Sequence, residues 1–364
     1  MDKNFDSLMM LRCLELAQKA AGRTSPNPLV GSVIVQNGKI IAEGYHTQAG
    51  SPHAEIEAIR STCETTEGAT LYVNLEPCNH YGRTPPCTEA IIQAGISRVV
   101  VGMVDPDERV SGGGIDRLKV AGIQVDVGTE EISARRLNEG FIYRSLHQQP
   151  FGIYKYAMTL DGKIATNIGN SNWVTASAAR RYVHLLRSTV DAVIVGGNTV
   201  CVDNPYLTTH NLTLHNPLRI VISRSLNLPK KANLWNQEEA KTLIFTQPNC
   251  NYDILAHLKS LGLEVIQIDQ LTPKKVMNVL YEKGLSKVLW EAGSRLSTAA
   301  VLDGCVQKIL AFIAPKIIGG KKAPTPLEDL GLNLMKDAIE LENISFTALE
   351  PDFLVEGYLN LRLK

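Results

Sequence analysis

Two stretches decide the reading of the first half of the chain: His53-Ala54-Glu55, and Glu76-Pro77-Cys78-Asn79-His80-Tyr81-Gly82-Arg83-Thr84-Pro85-Pro86-Cys87. One imidazole and two thiolates offer a metal three ligands and leave the fourth tetrahedral position open. A catalytic zinc site needs that vacancy, whereas a structural one does not. Zinc brings the pKa of a bound water toward neutrality. Glu55 is then free to act as a proton carrier rather than as a ligand. Helix N-termini near Pro52-His53 and Cys87-Thr88 would favour deprotonated thiolates. Residues two apart on a regular helix do not share a face, so His53 and Glu55 must sit where a helix entry passes the metal.

Outward from these stretches, helix-like and strand-like segments alternate. The periodicity predicts a helix over 7–21, broken by Pro26-Asn27-Pro28. Strands 30–35 and 39–45 follow, joined by the hairpin turn Asn37-Gly38. A helix from about Pro52, a strand over 70–75, a helix over 88–94 and a strand over 98–103 come next. Gly112-Gly113-Gly114 punctuates the run before a helix over 115–121. This is an α/β pattern with a mixed sheet and flanking helices. The short polar segment 146–150, ending in Pro150, reads as a linker between a domain of residues 1–147 and one of residues 150–364. At 364 residues, two domains are the expectation. The second half offers new strands over 151–158, 192–195, 219–222, 242–245, 265–268, 288–290 and 308–314. It is a second α/β domain, not a repeat of the first. It has no G-x-G-x-x-G dinucleotide fingerprint. Instead Asp191-Ala192-Val193-Ile194-Val195-Gly196-Gly197-Asn198-Thr199 and Trp290-Glu291-Ala292-Gly293-Ser294-Arg295 both run from strand to glycine, where backbone amides can approach a phosphate.

Composition narrows the function classes. Lys+Arg and Asp+Glu both total 37, so no net basic field draws nucleic acid. No apolar run approaches the roughly 20 residues of a membrane span, and Met1–Asp6 has no signal-peptide core. The cytoplasm is the expected compartment. Seven cysteines, an odd count, do not make a disulfide scaffold. Cys13, Cys63, Cys201, Cys250 and Cys305 read as reduced, small apolar residues.

A His-x-Glu, a Pro-Cys some twenty residues on and a second Cys form the signature of zinc nucleobase deaminases. Nucleoside and nucleic-acid deaminases usually place the two cysteines two residues apart, whereas here a longer insertion with Gly82-Arg83-Thr84-Pro85-Pro86 intervenes. This block resembles the deaminase domain of bacterial bifunctional riboflavin-biosynthesis proteins, as do Pro26-Asn27-Pro28-Leu29-Val30-Gly31 and Gly44-Tyr45-His46. The resemblance implies a cytidine-deaminase-like fold. It also implies zinc on His53, Cys78 and Cys87, Glu55 as proton shuttle, and Asn27, His46 and His80 near the substrate. Asp105-Pro106-Asp107-Glu108-Arg109 departs from the family, which often carries Asn after Asp-Pro.

The second half is similar to the reductase domain of the same family over Lys155–Thr166, Ser171-Asn172-Trp173-Val174-Thr175, Asp203-Asn204-Pro205 and Ala314-Pro315-Lys316. That domain is dihydrofolate-reductase-like and uses NADPH. By resemblance Ala157, Trp173, Thr199, Asp203, Ser223 and the loop from Gly293 touch NADPH, while Ser171, Arg187, Leu207 and Glu291 contact the substrate. Arg187 suits a ribose 5-phosphate. His210 stands where relatives carry Arg. Lys155 and Glu291 are the candidate proton donors, and Arg224, just past a strand, is a candidate reader of the cofactor's 2′-phosphate. The expected chemistry is hydrolysis of the 2-amino group of 2,5-diamino-6-(5-phosphoribosylamino)pyrimidin-4(3H)-one, then NADPH reduction of the ribosyl to the ribityl chain. The small phosphorylated pyrimidine is thus the expected partner, with no nucleic acid, no membrane and, from the family, a homo-oligomer. The alternatives are a nucleic-acid-editing deaminase with an RNA-binding module, which the neutral charge and the insertion disfavour, and a zinc-stabilised binding protein, which has no need of Glu55.

Overall fold

The structure, a computed structural model, describes residues 3–81, 85–107 and 111–360. Gly82-Arg83-Thr84 and Glu108-Arg109, both singled out by sequence, lie outside the described residues. The chain divides into two compact units, 1–148 and 149–364.

The first unit opens with α1 (Lys3–Gln18), the strands β1 (Gly31–Gln36) and β2 (Lys39–Tyr45), α2 (Ala54–Ser61) and β3 (Thr70–Leu75). It continues through α3 (Cys87–Gln93), β4 (Arg98–Met103), α4 (Gly113–Val120), β5 (Gln124–Val127), α5 (Glu131–Leu137) and α6 (Glu139–His147). The sheet runs β2-β1-β3-β4-β5, antiparallel around β1 and parallel from β3 to β5. Strand side chains alternate between faces. Val33 and Val35 of β1 therefore pack with Met9, Met10, Cys13 and Leu16 of α1. Ile34 joins Ala58, Ile91 and Leu118 from α2, α3 and α4 on the other face. Gly44 lets α2 lie directly on β2, because a Cβ there would stand 2.3 Å from Ala58 N and 2.5 Å from Ala54 O.

Gln148 caps α6 in the left-handed region, and the second unit begins at once with β6 (Phe151–Thr159). Then come α7 (Ser177–Arg187), β7 (Ala192–Gly196), α8 (Gly197–Asp203), β8 (Leu218–Ile222), β9 (Thr242–Thr246), α9 (Tyr252–Ser260) and β10 (Glu264–Gln267). The unit ends with α10 (Pro273–Glu282), β11 (Lys287–Trp290), α11 (Ser294–Leu302), β12 (Lys308–Ala314), β13 (Leu341–Leu349) and β14 (Asp352–Leu359). Nine strands run β10-β9-β8-β7-β11-β6-β12-β14-β13. All neighbours are parallel up to β12, and the last two pairs are antiparallel. Tyr154, Ile194, Phe245, Met277, Leu280 and Trp290 are among its core side chains. The carboxyl ends of the parallel strands, where open α/β sheets bind ligands, carry the cavities described next.

Candidate active sites

In the first unit, β3 ends at Leu75 and the chain turns through Glu76-Pro77-Cys78; β4 ends at Met103, just before Asp105. A cavity of about 250 Å³ opens there, lined by Asn27, His46, His53, Glu55, Cys78, His80, Asp105 and Asp107 among others. Helix α2 begins only at Ala54, so His53 is its N-cap, in extended conformation, and Glu55 lies in the first turn. The helix entry brings two residues to one cavity that a continuous helix would have splayed apart.

His53 Nδ1 stands 3.2 Å from Cys87 Sγ and 3.5 Å from Cys78 Sγ. The three donor atoms all lie within 4.8 Å of one another, so one nitrogen and two sulfurs converge as a zinc ligand set requires. Cys87 is the first residue of α3, and its backbone N–H donates to Cys78 Sγ at 3.3 Å. The Cys87 thiol, hydrogen-bonded to Cys78, is the main cause that holds the Cys78 thiol well below the usual thiol range, with His53 adding to it against burial. Cys87 is pushed upward by the same pairing and by burial. His53 is raised, chiefly by its bond to Cys78. Glu55 is 3 % exposed, and burial lifts its carboxyl above the usual range although His53 opposes this. Burial lowers the pKa of His46. Its Nδ1 is 3.0 Å from Pro52 O, which can only accept, so Nε2 accepts from the Asn27 amide at 3.1 Å.

Sequence reasoning missed Phe141 and Ser145 of α6, which also line this cavity. Nothing in the 139–147 stretch marks them, since they become neighbours of the site only through the fold.

In the second unit a cavity of about 430 Å³ is lined by Lys155, Ala157, Ser171, Arg187, Thr199, Asp203, Leu207, Glu291 and Gly293, among others. A second, of about 680 Å³, lies along Gly196–Thr199, Arg224 and Gly293–Leu296. A Cβ at Gly293 would meet nothing within 4 Å, so this bare backbone leaves room that fits a cofactor's phosphates. Trp173, His210 and Ser223 are not among the lining residues. Ser223 neighbours the larger cavity between Ile222 and Arg224, and its Oγ would sit 2.9 Å from a Cβ on Gly197. Trp173 is 68 % exposed, at φ 63°, with the Arg180 guanidinium over its ring at 4.2 Å. His210 stacks on His184 with centroids 4.1 Å apart.

Arg187 lines the smaller of these cavities and does not sit on a solvated helix face. It is 8 % exposed, its Nε and Nη2 donate to Glu291 at 2.7 and 3.1 Å, and Nη1 donates to Thr208 O at 2.9 Å. Lys155 Nζ approaches the same carboxylate at 3.4 Å. Burial alone would push Glu291 up, but the charges and hydrogen bonds of Arg187 and Lys155 hold it at about 2. The result is a buried two-cation, one-anion cluster at the cavity wall.

A buried carboxylate beside a zinc-type donor set, and a glycine-lined cavity next to a charged cluster, define a two-site enzyme that joins a zinc deaminase to a nucleotide-dependent reductase. Comparison with known proteins is specific. The cytidine and deoxycytidylate deaminase zinc-binding region matches residues 3–103, and the RibD C-terminal domain matches residues 150–355. The chain is 57 % identical over 354 residues to the riboflavin biosynthesis protein RibD of Synechocystis, covering 97 % of this chain and 96 % of that one. It is 41 % identical over 355 residues to RibD of Aquifex aeolicus, covering 97 % of both. The crystal structure of the Thermotoga maritima diaminohydroxyphosphoribosylaminopyrimidine deaminase/5-amino-6-(5-phosphoribosylamino)uracil reductase matches with a TM-score of 0.86 at 36 % identity, covering 98 % of this chain and 99 % of that one. Acinetobacter baumannii RibD gives the same TM-score at 34 % identity, over 99 % of this chain and all of that one. The chain belongs to the RibD family of riboflavin biosynthesis proteins, bifunctional enzymes with a zinc-binding deaminase domain and an NADPH-dependent reductase domain.

Proposed function

We propose that the first unit converts 2,5-diamino-6-(5-phosphoribosylamino)pyrimidin-4(3H)-one to 5-amino-6-(5-phosphoribosylamino)uracil, and that the second reduces the ribosyl chain to ribityl with NADPH. The observation that carries the reading is Glu55, a buried carboxyl lining the same cavity as His53 and Cys78. His53, Cys78 and Cys87 would hold zinc, which when bound supplies a Lewis acid that makes water nucleophilic near neutral pH. Glu55 accepts a proton of the attacking water and returns it to the departing amine, so that a C–O bond forms at C2, the C–N bond breaks and ammonia leaves. Asn27, His46 and His80 orient the pyrimidine.

In the second unit Ala157, Thr199, Asp203 and the Gly293 loop hold NADPH, with Trp173 and Ser223 at its margin. NADPH supplies the hydride, and the protein supplies its orientation against C1′ of the opened sugar. Ser171, Arg187, Leu207 and Glu291 face the substrate, Arg187 being held in place by its bonds to Glu291 and suited to the 5-phosphate. Lys155 carries the proton that accompanies reduction. His210 binds at the phosphate end, and Arg224 reads the 2′-phosphate of NADPH. The protein works as a cytoplasmic homo-oligomer without a nucleic-acid partner. A net charge of +0 supports the lack of a nucleic-acid partner, and the exposed Ile344 and Phe346 of edge strand β13 support self-association.

The test follows ammonia release and NADPH oxidation together, with wild-type and Glu55→Ala protein. Ammonia release should fall by about 10²–10⁴-fold in the variant, while supplied deaminated intermediate is still reduced. Ammonia without any NADPH consumption on either compound refutes the reductase assignment. Undiminished ammonia release refutes the role of Glu55.

A further inference from the structure

Glu76 immediately precedes Pro77 and the ligand candidate Cys78, and it is 4 % exposed. Its two oxygens accept four backbone hydrogen bonds. Oε2 takes Asp105 N at 3.1 Å and Gly112 N at 3.0 Å, and Oε1 takes Gly114 N at 2.9 Å and Ile115 N at 3.2 Å. Hydrogen bonds to an ionised acceptor are the strong kind. Gly114 and Ile115 open α4, where the helix dipole also favours a negative charge. The two segments are pressed together as well as bonded, since a Cβ on Gly114 would stand 2.0 Å from Pro77 O. Asn79 Nδ2 donates to Gly113 O at 3.1 Å, and Thr88 Oγ1 donates to Asn79 Oδ1 at 2.9 Å.

One buried anion thus ties the turn that carries Cys78 to the segments on both sides of the next loop. Asp105 and Asp107 line the deaminase cavity, as Glu76 itself does, and Asp107 N donates to Asp105 Oδ1 at 2.9 Å. Their carboxylates can accept from the amino groups of an aminopyrimidine. Cys78 has anchors of its own: Thr88 N donates to its carbonyl at 3.3 Å and Cys87 N to its sulfur at 3.3 Å. The Asp105 backbone N–H, by contrast, is fixed to the end of β3 through the Glu76 side chain.

We propose that Glu76 is a positioning residue for the deamination: its carboxylate sets where Asp105 and Asp107 stand relative to Cys78, and thereby governs binding of the pyrimidine rather than bond breaking. The inference rests on the deaminase reading of the first unit. Glu76→Gln keeps the shape of the side chain, but turns one acceptor oxygen into a donor facing backbone N–H groups. Four quantities are measured on the full-length protein: zinc content, KM and kcat for ammonia release, and hydrogen exchange at the amides of residues 105, 112, 114 and 115. Zinc should remain at the wild-type level while KM rises about tenfold or more, the scale of one lost hydrogen bond to a charged group. kcat should change by less than about threefold, and the four amides should exchange faster. Gly114→Ala, which pushes on Pro77 from the opposite side, should reproduce the rise in KM. If the Gln variant does not accumulate, Glu76→Asp keeps the charge but withdraws it by one methylene and should show a smaller rise of the same kind. An unchanged KM, or loss of zinc and kcat with KM unaltered, overturns the inference. A wild-type protein that releases no ammonia refutes instead the reading on which it rests.

Discussion

Replacing Arg187 by Met removes two of the bonds that hold Glu291 and leaves a buried carboxylate facing Lys155 alone. The magnitude follows from the charge cluster. Holding Glu291 at about 2 rather than its ordinary 4.5 corresponds to a differential interaction of about 3 kcal/mol. That agrees with the roughly 3–5 kcal/mol usually lost when one partner of a buried pair is removed. For a unit of this size, each kcal/mol lowers Tm by about 2–4 °C, so a fall of roughly 6–20 °C is expected. The readout is clean, because the chain's three tryptophans, Trp173, Trp235 and Trp290, all belong to the second unit. Their fluorescence follows its unfolding without the first. Because the folded Glu291 is depressed, its contribution is whole above its unfolded value near 4.5 and is lost as pH falls through about 2. In Arg187→Met the folded value rises, so acidification below neutral should narrow the gap from wild type. The triple variant Lys155→Met/Arg187→Met/Glu291→Leu should recover most of the loss, since an apolar cluster leaves no buried charge without its partner. A loss below about 1 kcal/mol in Arg187→Met, the range of exposed pairs, would refute the reasoning.

Arg224→Gln should weaken NADPH binding by roughly tenfold to a hundredfold, the scale of a charged hydrogen bond, and leave NADH binding unchanged. Direct titration of both cofactors measures it, and equal weakening of the two would show that Arg224 does not read the 2′-phosphate. Gly44→Ala puts a Cβ into the backbone of α2 at Ala54 and Ala58, and so should displace His53 and Glu55. Ammonia release should fall while NADPH oxidation on supplied intermediate persists; retention of both activities would count against a rigid helix entry. Burial, with help from His210 and Arg187, holds His184 at about 4. A depressed histidine stabilises above its unfolded value and loses that contribution as pH falls toward 4. His184→Phe should therefore flatten the acid loss of tryptophan-reported stability between pH 6.5 and 4, and an identical pH profile would argue against it.

The strands with the sharpest boundaries in the sequence are those buried on both faces: β3 and β4 run over 70–75 and 98–103, as the sequence predicts, with nearly every residue buried. The periodicity expects α1 four residues late, because Lys3–Asp6 carry no apolar stripe although Asp6 is buried against Tyr72 and Arg98. Strand β5, Gln124-Val125-Asp126-Val127, is only four half-exposed residues, too short for its alternation to stand out, and β13 is mostly exposed. The metal donors are legible because three residue types at fixed spacing have one chemistry. The second site is less so, because its lining is contributed by single residues from many strand ends. The inward turn of Arg187 could not be read at all: Arg180 and Arg181 on the same helix have the same local sequence character, and only Glu291, more than a hundred positions away, distinguishes them.

Each cavity is lined by residues of one unit alone, 27–145 for the first and 154–328 for the other two. The genetic consequence is intragenic complementation. An allele carrying Glu55→Ala and an allele broken only around Glu291, expressed in one cell, should together restore growth without added riboflavin, although neither does so by itself.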